Sequence, residues 1–396
     1  MTRLLAYMTT PGGLTGAPRR LLTLASALKS HGIDTCIASR SGSEFLQVAN
    51  AEGHETAVVE ALGVLGLRQR ALFSGGLWFR LRVAVDLLRQ NYKLFRCICK
   101  MQSDVVWVRG SKGIAFGAIG ALLSRRPLVW DVDYELPSKG VIRWLHLFGL
   151  WASLYVVFQY AAAPNKIFGE KLASQYQNKF RAIIPGIDLA SLKPFRDMRA
   201  QQKKPEDSPF VILQVGTICD RKNQMEIIEA LRLAINRDVL FSCELWLAYD
   251  DVQDLQFLER LHEYGLEENV SLLGWREDVK DLMTQADVLV MPSRDEGVPN
   301  AVQEAMAIGL PVLVSKAGGM PEIVQEGVTG WVMGIDDPGA WAEKILYCQK
   351  KPVLCEQVGR NAADYAFKNF GTDHWGREYA RVLKEAIALP ASRGHR

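Results

Sequence analysis

Two acidic and two basic residues in the C-terminal half are the first candidates for chemistry. Glu296 lies in a loop, and Glu304 lies in the helix that is predicted to follow it. One carboxylate can accept hydrogen bonds from a sugar and the other from a ribose. Arg221 and Lys222 close another loop of the same kind. Fixed cations of this kind stabilise the negative charge that builds on a diphosphate leaving group.

The backbone around these side chains also suits an anionic or hydroxyl-bearing ligand. Gly216 permits a tight turn, and Gly297 lets the chain approach a ligand closely. Pro299 suits the first turn of a helix. The amides of Val298 and Asn300 then lie at a helix N-terminus, where the helix dipole attracts phosphate or polar hydroxyls. The pair Glu296 and Glu304 becomes specific only within this strand–loop–helix context.

Both loops belong to a repeating strand–helix pattern. This alternation predicts parallel sheets with right-handed crossovers, which is a doubly wound α/β fold in each half of the chain. Ligands in such sheets bind at the carboxyl ends of the strands, where these loops lie. Strands are predicted at residues 4–8, 33–39, 105–108, 128–132, 182–185, 210–215, 243–248, 270–273, 286–291 and 311–315.

Length and local composition predict two domains. The 396 residues exceed the size of one ordinary domain. Residues 193–208 are polar and lack an apolar period, so they are predicted to be a linker. It would separate an N-terminal domain, residues 1–192, from a C-terminal domain, residues 209–371. The seven cysteines are odd in number and lack paired CxxC spacing, which disfavours disulfides and structural zinc and favours a reducing cytosol.

The two halves of the chain differ in charge. Residues 1–200 carry 26 Lys and Arg against 13 Asp and Glu (26 − 13 = +13), and residues 201–396 carry 21 against 31 (21 − 31 = −10). A basic half suggests an anionic partner. Nucleic acid is disfavoured because the chain shows no nucleic-acid-binding motif or aromatic-plus-basic repeat. A membrane surface is favoured, because residues 68–100 interleave eight basic residues with apolar ones and contain one acid, Asp86.

Two alternatives remain open in this region. The basic run within residues 68–100 is either a helix that lies on a membrane surface or a solvated helix face over the core. Residues 141–163 contain a charge-free stretch, but Arg143, His146 and Gln159 interrupt the longer apolar run. A spanning helix needs about 20 consecutive apolar residues. A buried or surface-embedded helix is therefore expected there, with a spanning helix as the alternative.

The motifs resemble those of glycosyltransferase family 4. The segment that begins at Glu296 and passes through Glu304 is similar to the hallmark of that family, and so is the glycine-rich loop around Gly318 and Gly319 that follows it. The resemblance is strong after residue 210 and looser before it. The similar segments are residues 15–20, 185–188, 215–223, 296–312 and 317–330.

This resemblance implies two doubly wound Rossmann-like domains that face a central cleft, the glycosyltransferase B (GT-B) fold. It implies retaining, metal-independent transfer from a nucleotide sugar, with no further cofactor. It also implies a final helix, residues 372–390, that crosses back to the N-terminal domain. Implied catalytic residues are Glu296 on the donor sugar, Arg221 and Lys222 on the diphosphate, and Asp133; implied donor-binding residues are Gly16, Gly216, Gly297, Val298, Pro299, Asn300 and Glu304.

Asp133 marks a departure from the family pattern. Many members have a histidine at the end of the strand that corresponds to residues 128–132, whereas Asp133 stands there in this chain. Asp133 either takes over the role of contacting the acceptor or sugar, is a spacer in a subgroup with altered chemistry, or indicates lost activity. Asp131 and Asp133 also form the DxD pair of metal-dependent transferases. That interpretation is disfavoured because Arg221 and Lys222 make a cation redundant.

We therefore expect a hexosyltransferase-type enzyme that acts on a lipid-linked or polysaccharide acceptor in cell-envelope or extracellular polysaccharide biosynthesis. It would be cytoplasmic and peripheral at the inner face of the cell membrane. The alternative is a non-catalytic nucleotide-sugar-binding partner in a polysaccharide assembly complex. A Rossmann dehydrogenase is disfavoured, because the chain lacks a strict GxGxxG followed by an acid about 20 positions later.

Overall fold

The protein is described from a computed structural model. The structure describes residues 2–9, 16–39, 43–60, 76–132, 140–202, 204–205, 208–238, 240–249, 252 and 256–389. The chain divides into two compact units. The N-terminal unit combines residues 1–186 with residues 372–396, and the C-terminal unit comprises residues 187–371.

The N-terminal unit is built on a seven-stranded parallel sheet. Its strands are rich in Val, Ile and Leu and are mostly buried, as expected for a parallel sheet covered on both faces. Leu4 pairs with Val105, which brings the first strand beside the fourth. The order β3-β2-β1-β4-β5-β6-β7 joins β1 (Thr2–Tyr7), β2 (Ile33–Ser39), β3 (Glu55–Val58), β4 (Val105–Arg109), β5 (Leu128–Val132), β6 (Tyr155–Phe158) and β7 (Phe180–Ala182).

Helices cover both faces of this sheet. Leu4 and Trp107 pack with the helices on one face, and Tyr7 and Val108 pack on the other, as alternation along the strands requires. One layer consists of α1 (Gly16–Ser30), α2 (Glu44–Ala51) and the final helix, α16 (Thr372–Ala388). The other consists of α3 (Leu77–Lys100), α4 (Gly110–Leu123) and α5 (Gly140–Ala152), with α6 (Ala163–Phe168) and α7 (Glu170–Gln175) following β6.

The C-terminal unit has a six-stranded parallel sheet. Its order, β10-β9-β8-β11-β12-β13, places β8 beside β11, so the loops that follow these two strands lie at one sheet edge. The strands are β8 (Phe210–Val215), β9 (Cys243–Ala248), β10 (Val270–Gly274), β11 (Val288–Met291), β12 (Val312–Ser315) and β13 (Trp331–Met333). The helices are α8 (Leu189–Gln201), α9 (Gln224–Arg237), α10 (Gln256–Glu263), α11 (Val279–Gln285), α12 (Asn300–Ile308), α13 (Met320–Ile323), α14 (Pro338–Lys350) and α15 (Pro352–Asn369).

The predicted linker, residues 193–208, is instead helical as far as Gln201 and belongs to the C-terminal unit. Asp188 caps the start of α8 by accepting hydrogen bonds from the amides of Ala190 and Ser191. Arg199 then fixes the end of the helix. Its guanidinium donates to the carbonyls of Met283, Thr284, Ala286 and Gly309, at the ends of α11 and α12. These long-range hydrogen bonds hold the segment against the C-terminal unit although its composition is polar.

Residues 141–163 also differ from the expected single helix. They divide into α5 and the buried strand β6, so the charge-free stretch is half helix and half strand. No helix in the described part of the chain is long and apolar enough to cross a membrane. The strand predicted at residues 182–185 lies earlier, at Phe180–Ala182.

Candidate functional site

Two loops of the C-terminal unit meet at the carboxyl edge of its sheet. One follows β8 and carries Arg221 and Lys222; the other follows β11 and carries Glu296. The amide of Arg294 donates to the carbonyl of Arg221 over 2.9 Å, which joins the loops through their backbones. This is the edge at which parallel α/β sheets bind ligands.

The carboxylate of Glu296 gathers the cations of both loops. Its Oε1 lies 2.6 Å from Lys222 Nζ and 2.9 Å from an Arg221 guanidinium nitrogen. Ser293 Oγ donates to the same oxygen over 3.3 Å. The side chains of Glu296 and Lys222 are largely buried, whereas that of Arg221 is 43% exposed. Two cations share one anion, so the cluster keeps one net positive charge, which suits an anionic ligand.

Glycines make room for this cluster. A Cβ on Gly216, whose φ is +135°, would lie 3.0 Å from Lys222 Cε. At Gly318, whose φ is +57°, a Cβ would lie 1.7 Å from the carbonyl oxygen of Glu296. The neighbouring Gly319 amide donates to the Gly297 carbonyl over 2.9 Å. The loop after β12 therefore packs directly on the Glu296 loop, and only glycine fits there.

A second set of residues braces the loops, and the sequence analysis did not identify it. Arg294 forms an ion pair with Asp336 at 2.5 Å and donates a hydrogen bond to Asn223 Oδ1 over 3.1 Å. Asn223 in turn donates to Glu226, which also accepts from the amides of Asp336 and Asp337. Burial raises the pKa of Glu226, while these hydrogen bonds oppose the rise. The only sequence signal was adjacency: Asn223 follows Lys222, and Arg294 precedes Glu296 by two positions.

The helix α12 presents Glu304 separately from this cluster. Pro299 occupies the N-cap position of α12, and Asn300 is its first residue, so the helix N-terminus lies directly after Gly297 and Val298. The Val298 side chain is buried, which leaves its backbone as the candidate contact. Glu304 lies in the second turn. Burial raises the pKa of Glu304, and Lys280 partly opposes this.

The structure places Gly16 and Asp131, two candidates in the N-terminal unit, but does not describe Asp133. Gly16 is the first residue of α1. Asp133 lies outside the described residues. Asp131, its partner in the DxD pair, is buried and accepts a hydrogen bond from the Tyr379 hydroxyl of α16. Among the described residues, no group of three or more His, Cys, Asp or Glu side chains is placed to hold a metal ion.

The C-terminal unit matches a known protein family. Residues 195–365 match the family model described as glycosyl transferases group 1. This match spans less than half of the chain. The match includes the second half of α8, both loops of the candidate site and Glu304. It supports a glycosyltransferase with the GT-B fold.

Individual relatives agree with this assignment. The chain is 25% identical over 298 residues, 72% of its length and 76% of the relative, to the UDP-Gal:alpha-D-GlcNAc-diphosphoundecaprenol alpha-1,3-galactosyltransferase of Escherichia coli. It is 32% identical over 146 residues to the amylovoran biosynthesis glycosyltransferase AmsK of Erwinia amylovora. That second alignment spans only 35% of each chain.

Solved structures show the GT-B fold over nearly the whole chain. Anabaena HepE in complex with UDP aligns with a TM-score of 0.76 and 20% identity, covering 97% of this chain and all of HepE. The predicted fold class, two parallel-sheet α/β domains of GT-B type, is therefore confirmed. The site residues are placed by the geometry above, and their roles stay predictions.

Proposed function

We propose that the protein is a retaining glycosyltransferase that transfers a sugar from a nucleotide-sugar donor, bound at the Glu296 cluster, to an acceptor. The observation that carries the proposal is the contact of Glu296 Oε1 with both Lys222 and Arg221. The three side chains come from two loops at the ligand-binding edge of the sheet, within the region that matches glycosyl transferases group 1. A carboxylate that recognises hydroxyls and cations that hold phosphate are both needed for this donor.

The cluster suits a leaving diphosphate because its cations are held in place before the ligand arrives. In the free protein Glu296 neutralises part of their charge, which limits the repulsion between Lys222 and Arg221. A donor diphosphate offers them a stronger counter-charge, and Glu296 then turns to the hydroxyls of the donor sugar. Lys222 and Arg221 would stabilise the charge that grows on the diphosphate as the bond to the sugar breaks. Glu304 would accept hydrogen bonds from the ribose.

The finer assignment rests on the resemblance to family 4. It includes hexosyl transfer, retention at the anomeric carbon and independence from metal. The two cations at the cluster supply the positive charge for which other transferases use a divalent ion. The nearby backbone of Gly297, Val298 and Asn300, at the start of α12, would position the sugar and phosphates. Gly16, at the start of α1, would lie near the point of transfer.

The names of relatives support an acceptor class. The Escherichia coli relative is named for a diphosphoundecaprenol-linked acceptor and a UDP-galactose donor, AmsK for amylovoran biosynthesis, and HepE was solved with UDP. We therefore propose a lipid-linked or polysaccharide acceptor in cell-envelope or extracellular polysaccharide biosynthesis. A cytoplasmic enzyme at the inner face of the membrane would meet both the nucleotide sugar and such an acceptor.

A thermal-shift screen tests the donor site and the metal independence. UDP-, GDP- and ADP-sugars are added to the protein with and without EDTA. We expect one nucleotide series to raise the melting temperature equally in both conditions, and the Glu296→Ala variant to lose most of that shift. Stabilisation that disappears with EDTA would overturn the metal-free proposal and favour the DxD pair of Asp131 and Asp133.

Nucleotide release with acceptor extracts separates the enzyme from a non-catalytic partner. Wild type should release nucleotide, and Glu296→Ala should reduce the rate strongly. Glu343→Ala is the matched control, because Glu343 forms an exposed ion pair with Arg237 on the same unit. Asp133→Ala reports whether that residue takes part in the reaction. Donor binding without release from any donor would favour the partner in an assembly complex.

A further inference from the structure

The helix α3 has a row of large apolar side chains on its outer face. Trp78, Leu81, Val85, Leu88 and Tyr92 recur every three or four residues, so they line one side of the helix. All five are exposed, Trp78 to 84%. Such a continuous row is not the scattered exposure found on most protein surfaces and is typical of an interaction site.

The opposite face of α3 holds the helix firmly in the domain. Asn91 donates to the carbonyl of Ala115 and accepts from the Gly120 amide, both in α4. Gln90 donates to the hydroxyl of Tyr7 in β1. A Cβ on Gly120 would lie 2.6 Å from the Asn91 carbonyl, so the two helices are in backbone contact. The outer row is therefore presented by a fixed helix.

The helix α5 presents a second apolar row in the same helical layer. Trp144, Phe148 and Trp151 lie three and four positions apart, opposite the buried His146 and Leu150. Trp144 is 75% exposed. Ser111 of α4 hydrogen-bonds to His146 over 3.0 Å, so α4 is tied to α5 as well as to α3.

Basic residues greatly outnumber acidic ones in this helical layer. The helices α3, α4 and α5 together carry eight Lys and Arg and a single acid, Asp86, whose side chain is buried. Arg82, Arg89 and Arg96 are exposed and form a row beside the apolar row of α3. In the opposite layer, α1, α2 and α16 mix six basic with four acidic residues.

We propose that the α3–α5 layer docks the protein onto an anionic lipid bilayer. The docking face consists of the outer apolar rows of α3 (Trp78, Leu81, Val85, Leu88, Tyr92) and α5 (Trp144, Phe148, Trp151). These side chains enter the interface between headgroups and acyl chains, and the flanking arginines and lysines contact lipid phosphates. The proposal rests on the membrane location in the proposed function and names the surface that achieves it.

The chemistry of the face selects a bilayer over a protein partner. Three tryptophans and a tyrosine with polar edges suit the headgroup region, where aromatic residues concentrate. The fully buried core of a protein interface is depleted in charged residues, whereas α3 and α5 carry seven basic residues and one acid, Asp86. A helix with one charged side and one Trp- and Leu-rich side lies in the plane of the interface.

Docking through this face also sets which edge of the N-terminal sheet meets the lipid. A crossover helix begins at the carboxyl end of the preceding strand. Trp78 lies in the first turn of α3 and Trp144 in the second turn of α5, so both are near the carboxyl edge of the sheet. Ligands bind at that edge in such folds. The headgroup of a lipid-linked acceptor would thus reach it without leaving the bilayer surface.

Cosedimentation with vesicles tests the proposal. The full chain is mixed with vesicles of phosphatidylcholine alone or of phosphatidylcholine with phosphatidylglycerol. We expect wild type to bind the phosphatidylglycerol vesicles. The Trp78→Ser/Trp144→Ser variant should bind at least about tenfold more weakly, because two interfacial side chains are lost. The Arg82→Glu/Arg89→Glu/Arg96→Glu variant should bind about a hundredfold more weakly.

Controls separate this result from misfolding and from the donor site. Val353→Ser/Leu354→Ser removes exposed apolar side chains from the C-terminal unit and should bind vesicles like wild type. Every variant should keep the thermal shift given by the donor nucleotide, which reports the proposed function separately. Equal vesicle binding by wild type and the tryptophan variant would overturn the proposal. A wild-type dimer that Trp78→Ser/Trp144→Ser dissociates would also overturn it, in favour of a second copy of the chain.

Discussion

In the C-terminal unit the cations of the candidate site share a carboxylate, whereas on the α3–α5 layer of the N-terminal unit basic residues outnumber acids eight to one. Glu296 pairs with both Lys222 and Arg221, which are the cations that we propose bind a small anionic ligand. Within α3 the one acid is Asp86, which lies 3.9 Å from Arg89. In the proposed docking, lipid phosphates would supply the counter-charge for the exposed Arg82, Arg89 and Arg96.

This difference separates two kinds of recognition. A small anionic ligand requires fixed donors, so the loops of the C-terminal unit are braced by Arg294, Asn223 and Glu226. An extended anionic surface requires area and charge but little precision, so the docking face of α3 and α5 is apolar and basic. The following predictions test each half of this contrast, beginning with the largest effect.

Removal of the buried cation should have the largest effect. Lys222→Met leaves Glu296 with Arg221 and Ser293 and removes the less exposed of the two cations. We expect kcat to fall about a hundred- to a thousandfold, or about 2.7–4 kcal/mol in the barrier, as for other preorganised groups that stabilise developing charge. The rate of nucleotide release measures this. Lys350→Met, which breaks an exposed pair with Asp238, should leave kcat unchanged, and equal losses in both variants would remove Lys222 from the proposed role.

The next prediction concerns the stability of the C-terminal unit. Arg199→Met leaves four carbonyls at the ends of α11 and α12 without their donor. Burial lowers the pKa of Arg199 to about 10, so it stays charged at neutral pH and donates to all four. We expect the free energy of unfolding to fall by about 3 kcal/mol, measured by urea denaturation.

A neighbour on the same helix provides the control for Arg199. Arg196 pairs with Asp364 at 2.7 Å and lies over the Phe367 ring near the surface. Arg196→Met should therefore cost less than about 1 kcal/mol. If both variants cost the same, the carbonyl contacts of Arg199 are not what holds α8 in this unit.

Arg199 also shows where sequence reasoning succeeds and where it ends. The bounds of β2, β5, β8 and β9 were predicted correctly from short runs of apolar and β-branched residues between glycines, polar residues or prolines. Buried parallel strands have this local sequence pattern. The helix α8 was not predicted from the sequence. Its end is stabilised by carbonyls 84 to 110 residues away, and no local pattern records such contacts.

The candidate site likewise has one set of residues that the sequence predicted and another that it did not. Glu296, Arg221 and Lys222 were predicted at one edge because their loops follow strands of one sheet, and the structure brings them into contact. The brace of Arg294 on Asn223 and Asp336 was not predicted, because it joins three separate loops through side chains. On α3 the sequence pattern did not separate the inner from the outer apolar residues; the structure buries Val83 and exposes Trp78 and Leu88, since packing on α4 decides which face is inner.

The third prediction tests whether the inner face of α3 is as firmly fixed as the donor loops. Asn91→Ala removes the bonds to Ala115, Gly120 and Leu87. We expect a loss of about 2 kcal/mol in the free energy of unfolding, together with faster hydrogen exchange in α3. The control is Tyr92→Ser on the outer face of the same helix, which should change stability by less than about 0.5 kcal/mol. A larger loss for Tyr92→Ser would mean that its side chain packs within the domain and does not belong to a docking face.

The smallest effect concerns the pH dependence of donor binding. Burial raises the pKa of Glu304, so this carboxylate takes up a proton at a higher pH than an exposed glutamate does. Ribose hydroxyls donate to the ionised form, and donor affinity should therefore fall by up to about tenfold per pH unit below that pKa. The stability of the free protein should change in the opposite sense and rise on acidification, because protonation of Glu304 removes the cost of its buried charge.

Calorimetric titration of the stabilising nucleotide across a pH series separates the two effects. In wild type the affinity should decline on acidification, with the decline beginning above the usual range for glutamate. Glu304→Gln should bind more weakly at neutral pH and show a flatter profile, because its amide does not titrate. Since vesicle binding depends on arginines and lysines that stay charged throughout this range, it should not decline in parallel. A wild-type profile as flat as that of Glu304→Gln would contradict the assignment of Glu304 to the ribose.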